Sequence, residues 1–111
     1  MAEISKRLKR LLREYGGKAH EAELREALAP LAEAFKRWER GEIDSFELKD
    51  MIHRFHQGPA REIWLRYDSR LLEPQLAHAI ASGLIDRTTI PAELLNYLAK
   101  DIDFYEDQRK S

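Results

Sequence analysis

The chain has 111 residues, of which 43% are hydrophobic and 35% are charged, and its formal net charge at pH 7 is −1. These values fit one globular domain and argue against a disordered chain. The sequence contains no valine and no cysteine, which argues against a β-sheet and excludes disulfides and thiolate zinc sites. We predict one all-α domain over residues 1–111.

Hydropathy and charge along the chain predict a cytoplasmic protein with ends of opposite sign. No segment approaches the roughly 18 to 20 apolar residues needed to cross a bilayer, and residues 1–17 lack the apolar core of a secretory signal. Residues 1–20 carry a net charge of +4, and residues 84–111 carry −2. Segments of opposite sign can attract each other within one chain or between two chains.

The first predicted helix covers residues 3–15, where apolar residues recur at helical spacing. The pair Gly16-Gly17 is predicted to end it. Its opposite face is basic, which favours an ordinary solvated face, although it could also bind phosphates, anionic lipid or an acidic protein surface. The basic residues of this stripe are Lys6, Lys9, Arg10 and Arg13.

A second predicted helix runs from residue 19 to residue 40. Its apolar positions step by four, three, four and three, which is the register of a helix lying along a partner helix. They are Leu24, Leu28, Leu31, Phe35 and Trp38. Because this seam spans only about two heptads, it favours one wall of a bundle over a coiled coil. Pro30 lies inside the run, and we expect a kink there rather than a break.

The third and fourth predicted helices meet at a corner. The third covers residues 45–57, with Asp44 or Ser45 as cap and Glu47 at capping-box spacing from Asp44, and the fourth begins at Pro59. Arg66 follows Glu62 by four residues, which predicts an ordinary surface ion pair.

The remaining sequence predicts two further helices. The segment 69–83 could continue the fourth helix, but we favour a restart near Pro74 that ends at Gly83, with Leu84 placed for the apolar contact that follows a glycine C-cap. The last has Thr88 or Thr89 as cap and Pro91 in its first turn. Residues 106–111 are predicted to fray. The expected fold is an irregular orthogonal or up-down bundle of five to six short helices without a sheet.

His53 and His56 are the weak candidates for a metal or catalytic site, because they lie one helical turn apart. On a helical wheel His56 lies about 80° from Leu48, at the margin of the apolar face, and His53 lies about 140° away among polar residues. A zinc site needs three or four ligands, so another helix would have to contribute. The favoured interpretation is that both histidines have a structural role at the corner between two helices.

Aromatic residues supply the last candidates. Phe46 lies about 160° from Leu48 on the same wheel, which predicts either a contact at the helix entrance or an exposed contact with a partner. The other aromatic residues at helical spacing are predicted to be core. They are Phe35, Trp38, Phe55, Trp64 and Tyr67.

No convergent catalytic set is visible, so whether the chain is an enzyme stays open and no cofactor is expected. The leading hypothesis is a non-catalytic protein–protein interaction or self-assembly module, with a homodimer as one form. One alternative is a small metal-binding protein or enzyme that uses His53 and His56. Another is a nucleic-acid accessory protein that uses the basic first helix, which the net charge of −1 makes the weaker alternative. No small-molecule substrate is evident.

Overall fold

The computed structural model describes residues 4–68 and 70–110, with only the backbone described for residue 110. In this part of the chain there is no strand, which confirms the all-α fold without a sheet. Residue 3 of the first predicted helix and residue 111 of the tail lie outside it. The helices are α1 (Lys6–Glu39), α2 (Ser45–Gln57), α3 (Pro59–Arg66), α4 (Leu72–Ala81), α5 (Ala92–Tyr97) and α6 (Ala99–Lys110).

Helix α1 is the long axis of the molecule. Its 34 residues span about 51 Å at 1.5 Å per residue, and the whole molecule measures 57 × 29 × 23 Å. The prediction of two short helices in this region was wrong, since the chain stays helical from residue 6 to residue 39. No helix of the described residues is both long and apolar enough to span a membrane.

Gly16 permits close packing and does not end the helix. Gly16 is buried, and a Cβ atom built on it would lie closer to the Leu72 side chain than van der Waals contact allows. Gly17 is exposed, and its Cβ would meet nothing within 4 Å. Neither glycine has a positive φ. The pair is therefore compatible with helix, and Gly16 lets α4 approach α1.

Substitutions at the two glycines should have opposite effects on stability. We expect Gly17→Ala to raise the free energy of unfolding by about 1 kcal/mol, because alanine is the better helix former at an open position. Gly16→Leu should lower it by about 1–3 kcal/mol, because the added atoms overpack the contact with Leu72. Urea unfolding of both variants checks this. A loss of stability in Gly17→Ala would indicate that the pair does end the helix.

Pro30 does not break α1. The helix continues through it to Glu39, and both Pro30 and Glu26 are exposed. The carbonyl of Glu26, which would accept the hydrogen bond that proline cannot donate, can therefore be hydrated. A break at Pro30 is excluded, in agreement with the expectation, and the kink stays a prediction.

Two apolar clusters flank α1. The larger one joins the N-terminal half of α1 to α4, α5 and α6, and its fully buried large side chains are Leu76, Leu94 and Leu98. The smaller one joins Ala34 of α1 to Ile43 and Leu48. The C-terminal half of α1 therefore has much less buried apolar packing than the N-terminal half.

Local cap signals are confirmed at three positions. Asp44 and Glu47 form a complete capping box, with the Glu47 backbone N–H 2.8 Å from Asp44 Oδ1. Pro59 is at the start of α3. After α4, Gly83 has a φ of 79° and the Leu84 N–H donates to the Ala79 carbonyl over 3.0 Å, which is a Schellman motif.

The structure differs from the prediction of one last helix, because the helix starts later, at Ala92, and is interrupted at Leu98. Asp86 caps a 3₁₀ turn over Arg87–Thr89, so Thr88 and Thr89 belong to that turn and do not cap the helix. The Asp86 carboxylate accepts from both the backbone and the hydroxyl of Thr88. Pro91 is the N-cap of α5 and not in its first turn. Beyond Leu98, α6 continues to residue 110, so the described part of the predicted fraying tail is helical.

Candidate interaction surface

One side of the C-terminal half of α1 exposes large apolar side chains. Leu28, Phe35 and Trp38 are 43%, 40% and 40% exposed, and they belong to the seam identified from the sequence. We call this seam the open face. It consists of Leu24, Leu28, Leu31, Phe35 and Trp38.

The open face is only partly covered, because α2 borders it at Leu31 and Trp38 and the other short helices pack beside it. Ala34 is buried in the cluster that holds α2, and at 100° per residue Ala34 points about 100° away from Phe35. Helices α4 and α6 pack against each other and against the larger cluster, which draws on α1 only as far as Ala19. In the described residues the seam therefore leaves Leu28, Phe35 and Trp38 exposed, whereas Leu31 lines a groove shared with α2.

Hydrogen bonding and ring packing hold the aromatic end of the open face in place. Trp38 Nε1 donates to Ser45 Oγ over 3.0 Å. Phe35 meets Trp38 edge to face, with ring centroids 6.4 Å apart and planes at 87°. Aromatic pairs in this arrangement are favourable beyond their buried area. A partner would meet a preorganised apolar surface, which lowers the entropic cost of binding.

The core assignment of the aromatic residues was wrong for three of them. Phe35 and Trp38 lie on the open face, and Trp64 is 63% exposed because the eight-residue α3 buries only Ile63. Phe46 is 75% exposed, which agrees with its wheel position away from the apolar face. Its contact with a partner stays a prediction.

His53 and His56 do not converge with further ligands. Both side chains are exposed on α2. Among the described residues, no group of three or more His, Cys, Asp or Glu side chains is placed to hold a metal ion. The structure therefore places the two histidines at the corner between α2 and α3, without a ligand set around them.

The four residues of the basic stripe of α1 are exposed. Lys6, Lys9, Arg10 and Arg13 are exposed, and none of them forms an ion pair within residues 4–68 and 70–110. Arg7, by contrast, pairs with Glu93 of α5 at 2.7 Å. The stripe therefore presents four positive charges to solvent at the N-terminal end of α1.

Glu23 anchors α3 to α1 through a network that local sequence patterns missed. Its carboxylate accepts hydrogen bonds from Arg66 and from the Tyr67 hydroxyl, the latter over 2.6 Å. His20 stacks on the Tyr67 ring at 4.8 Å. Arg66 also lies 4.0 Å from Glu62, the predicted partner. The contacts to Glu23 cross more than 40 residues, so spacing on one helix gives no sign of them.

The Glu23 network should make stability fall at alkaline pH. Burial, and then the hydrogen bond and charge of Glu23, raise the pKa of Tyr67 above its ordinary 10.0. A group whose pKa is raised on folding contributes stability below its unfolded pKa and loses it as the pH rises through the folded pKa. We expect urea unfolding from about pH 9 to about pH 11 to show a smaller loss in Tyr67→Phe than in the wild type. Equal losses in both proteins would contradict this assignment.

A search for relatives yields no function to transfer to this surface. No protein-family model, curated protein or solved structure matches the chain.

Proposed function

We propose that this chain is a non-catalytic protein–protein interaction or self-assembly module whose working surface is the open face of α1. The observation that carries the proposal is a heptad-spaced seam of large apolar side chains in which Leu28, Phe35 and Trp38 are exposed. A cytoplasmic location, as predicted from the sequence, is part of the proposal.

The composition of the open face supports binding. Scattered single apolar side chains are normal on a protein surface, whereas contiguous apolar patches with a polar rim mark interaction sites. Leu28, Phe35 and Trp38 follow one another along a single side of α1, and Arg25 and Glu39 flank them. Tryptophan is among the residues that contribute most to binding at interfaces. The surface therefore has both the continuity and the anchor residue that an interface needs.

The test compares the wild type with a variant that makes the open face polar. We expect Leu28→Ser/Phe35→Ser to lose binding to whatever covers the face, because it removes two apolar side chains from the centre of the interface. Phe104→Ser on α6, where Phe104 is 56% exposed, is the matched control and should behave as wild type.

Two measurements compare the wild type, the double variant and the Phe104→Ser control. One is the mass by light scattering over a range of concentrations, and the other is affinity capture from cells that express the chain. The proposal is supported if the control keeps, and the double variant loses, either the mass of an oligomer or a captured partner. A monomer at every concentration, together with the same captured proteins for all three chains, overturns it.

A second candidate function is anion binding by the basic stripe, which is favoured because its four cations form no ion pair with the described residues. If Lys6, Lys9, Arg10 and Arg13 each neutralise one phosphate of duplex DNA, log Kobs should fall with log salt at a slope of about −3.6. Fluorescence anisotropy with a labelled duplex at several salt concentrations measures this slope. Binding that does not change from low to moderate salt counts against this candidate.

A further inference from the structure

We infer that the open face binds a second copy of this chain, with the two α1 helices antiparallel and a two-fold axis near Ala32. This inference rests on the proposed interaction function and names the partner. Three features of α1 support it: the apolar residues of the seam can pair across a two-fold axis, one edge of the seam is exposed, and the charges on that edge are of opposite sign.

The seam assigns heptad positions to α1. Leu28 and Phe35 take position a, while Leu31 and Trp38 take position d. In an antiparallel pair, a residues face d residues of the partner helix. One register places Leu28 against Trp38 of the second copy and Leu31 against Phe35 of the second copy, and the two-fold axis repeats both layers. Every large apolar residue from Leu28 to Trp38 then has an apolar partner.

Only one edge of the seam is free to meet another helix. Position g is taken by Ala27 and Ala34, and Ala34 is buried against α2. Position e is taken by Arg25, Ala32 and Glu39, which are all exposed. A parallel pair would place position e against the blocked position g of its partner. An antiparallel pair places the two free edges together on one side and brings the two g edges, each with its own α2, together on the other side.

The charges on this edge are self-complementary in the same register. Arg25 and Glu39 lie seven residues before and seven residues after Ala32, within one residue of the centre of the two apolar layers at residue 33, so this register places Arg25 near Glu39 of the second copy, twice. Arg25 now bonds to Glu21 at 2.7 Å, and Glu39 forms no ion pair within the described part of the chain. A shift by one heptad would place Arg25 against Ala32. The small Ala32 side chain also permits close approach at the axis.

Cross-linking through a single cysteine tests the geometry. The chain has no natural cysteine, so Ala32→Cys treated with a short bismaleimide links two copies only where these positions meet. Ala29→Cys, also exposed and one turn away, is the matched control. The antiparallel register separates its two copies by roughly 10 Å along the axis. We expect a covalent dimer from Ala32→Cys in several-fold excess over Ala29→Cys.

Charge exchange tests the pairing. We expect Arg25→Glu alone and Glu39→Arg alone each to weaken the dimer roughly tenfold in Kd by sedimentation equilibrium. The variant carrying both changes should recover to within about threefold of the wild type, since the pair is restored with its signs reversed.

The outcomes separate this inference from the proposed function. A monomer by light scattering with a captured partner that Leu28→Ser/Phe35→Ser loses overturns the second copy and leaves the interaction module standing. A dimer whose Ala32→Cys and Ala29→Cys variants cross-link equally, or whose charge exchange fails to recover, overturns the antiparallel register. A monomer with capture insensitive to the double variant overturns both proposals.

Discussion

Replacing Leu94 by alanine is expected to lower the free energy of unfolding by about 2–5 kcal/mol. Leu94 is fully buried in the cluster that joins α1 to α4, α5 and α6. Truncation removes apolar contacts there and leaves a cavity that surrounding helices close only in part. The larger cluster supplies most of the buried apolar packing, so a change at its centre should weaken the whole fold.

Leu65→Ala is the matched control for this change. Leu65 lies on α3 and is 47% exposed, so its truncation should change stability by no more than about 0.5 kcal/mol. Urea unfolding at one protein concentration measures both variants, since self-association would make stability depend on concentration. Equal effects at Leu94 and Leu65 would contradict the description of one dominant core.

Replacing Glu23 by alanine is expected to cost about 1–3 kcal/mol. The side chain of Glu23 is only 16% exposed, and it accepts from both Arg66 and Tyr67. Its removal leaves the partly buried Tyr67 hydroxyl without its acceptor. Thermal or urea unfolding measures the loss, and the attachment of α3 to α1 should weaken with it.

Glu26→Ala, one turn further along α1, controls for helix propensity and charge. Glu26 is exposed, so we expect a change within about 0.5 kcal/mol. A double-mutant cycle of Glu23→Ala with Tyr67→Phe should give a coupling energy of about 0.5–3 kcal/mol. Strict additivity of the two changes would show that the hydrogen bond between these residues contributes nothing to stability.

Local signals in the sequence predicted local structure. The capping box at Asp44 and Glu47 and the glycine C-cap at Gly83 each depend on residues within one turn of the chain, and both are present. The Gly16-Gly17 pair led to a wrong helix end, because Gly16 packs closely against Leu72, a residue more than 50 positions away. A glycine that ends a helix and a glycine that admits a neighbouring helix look the same in sequence.

The candidate site could be predicted in part. The spacing from Leu24 to Trp38 indicated a helix that lies along a partner, and these residues do form one continuous side of α1. The rest of the described chain covers that side only in part, because α2 packs on the side of Ala34 and leaves Leu28, Phe35 and Trp38 exposed. Periodicity identifies an apolar face, whereas only the tertiary packing shows whether it is covered.

The fluorescence of Trp38 tests the central claim, that the open face of α1 pairs with a second copy. Trp38 and Trp64 are the two tryptophans of the chain, so Trp64→Phe leaves Trp38 as the sole reporter on the open face. We predict that its emission shifts to shorter wavelength as protein concentration rises, because association removes the ring from water, and that Arg25→Glu moves this shift to higher concentration. Emission that is the same at every concentration would contradict the claim.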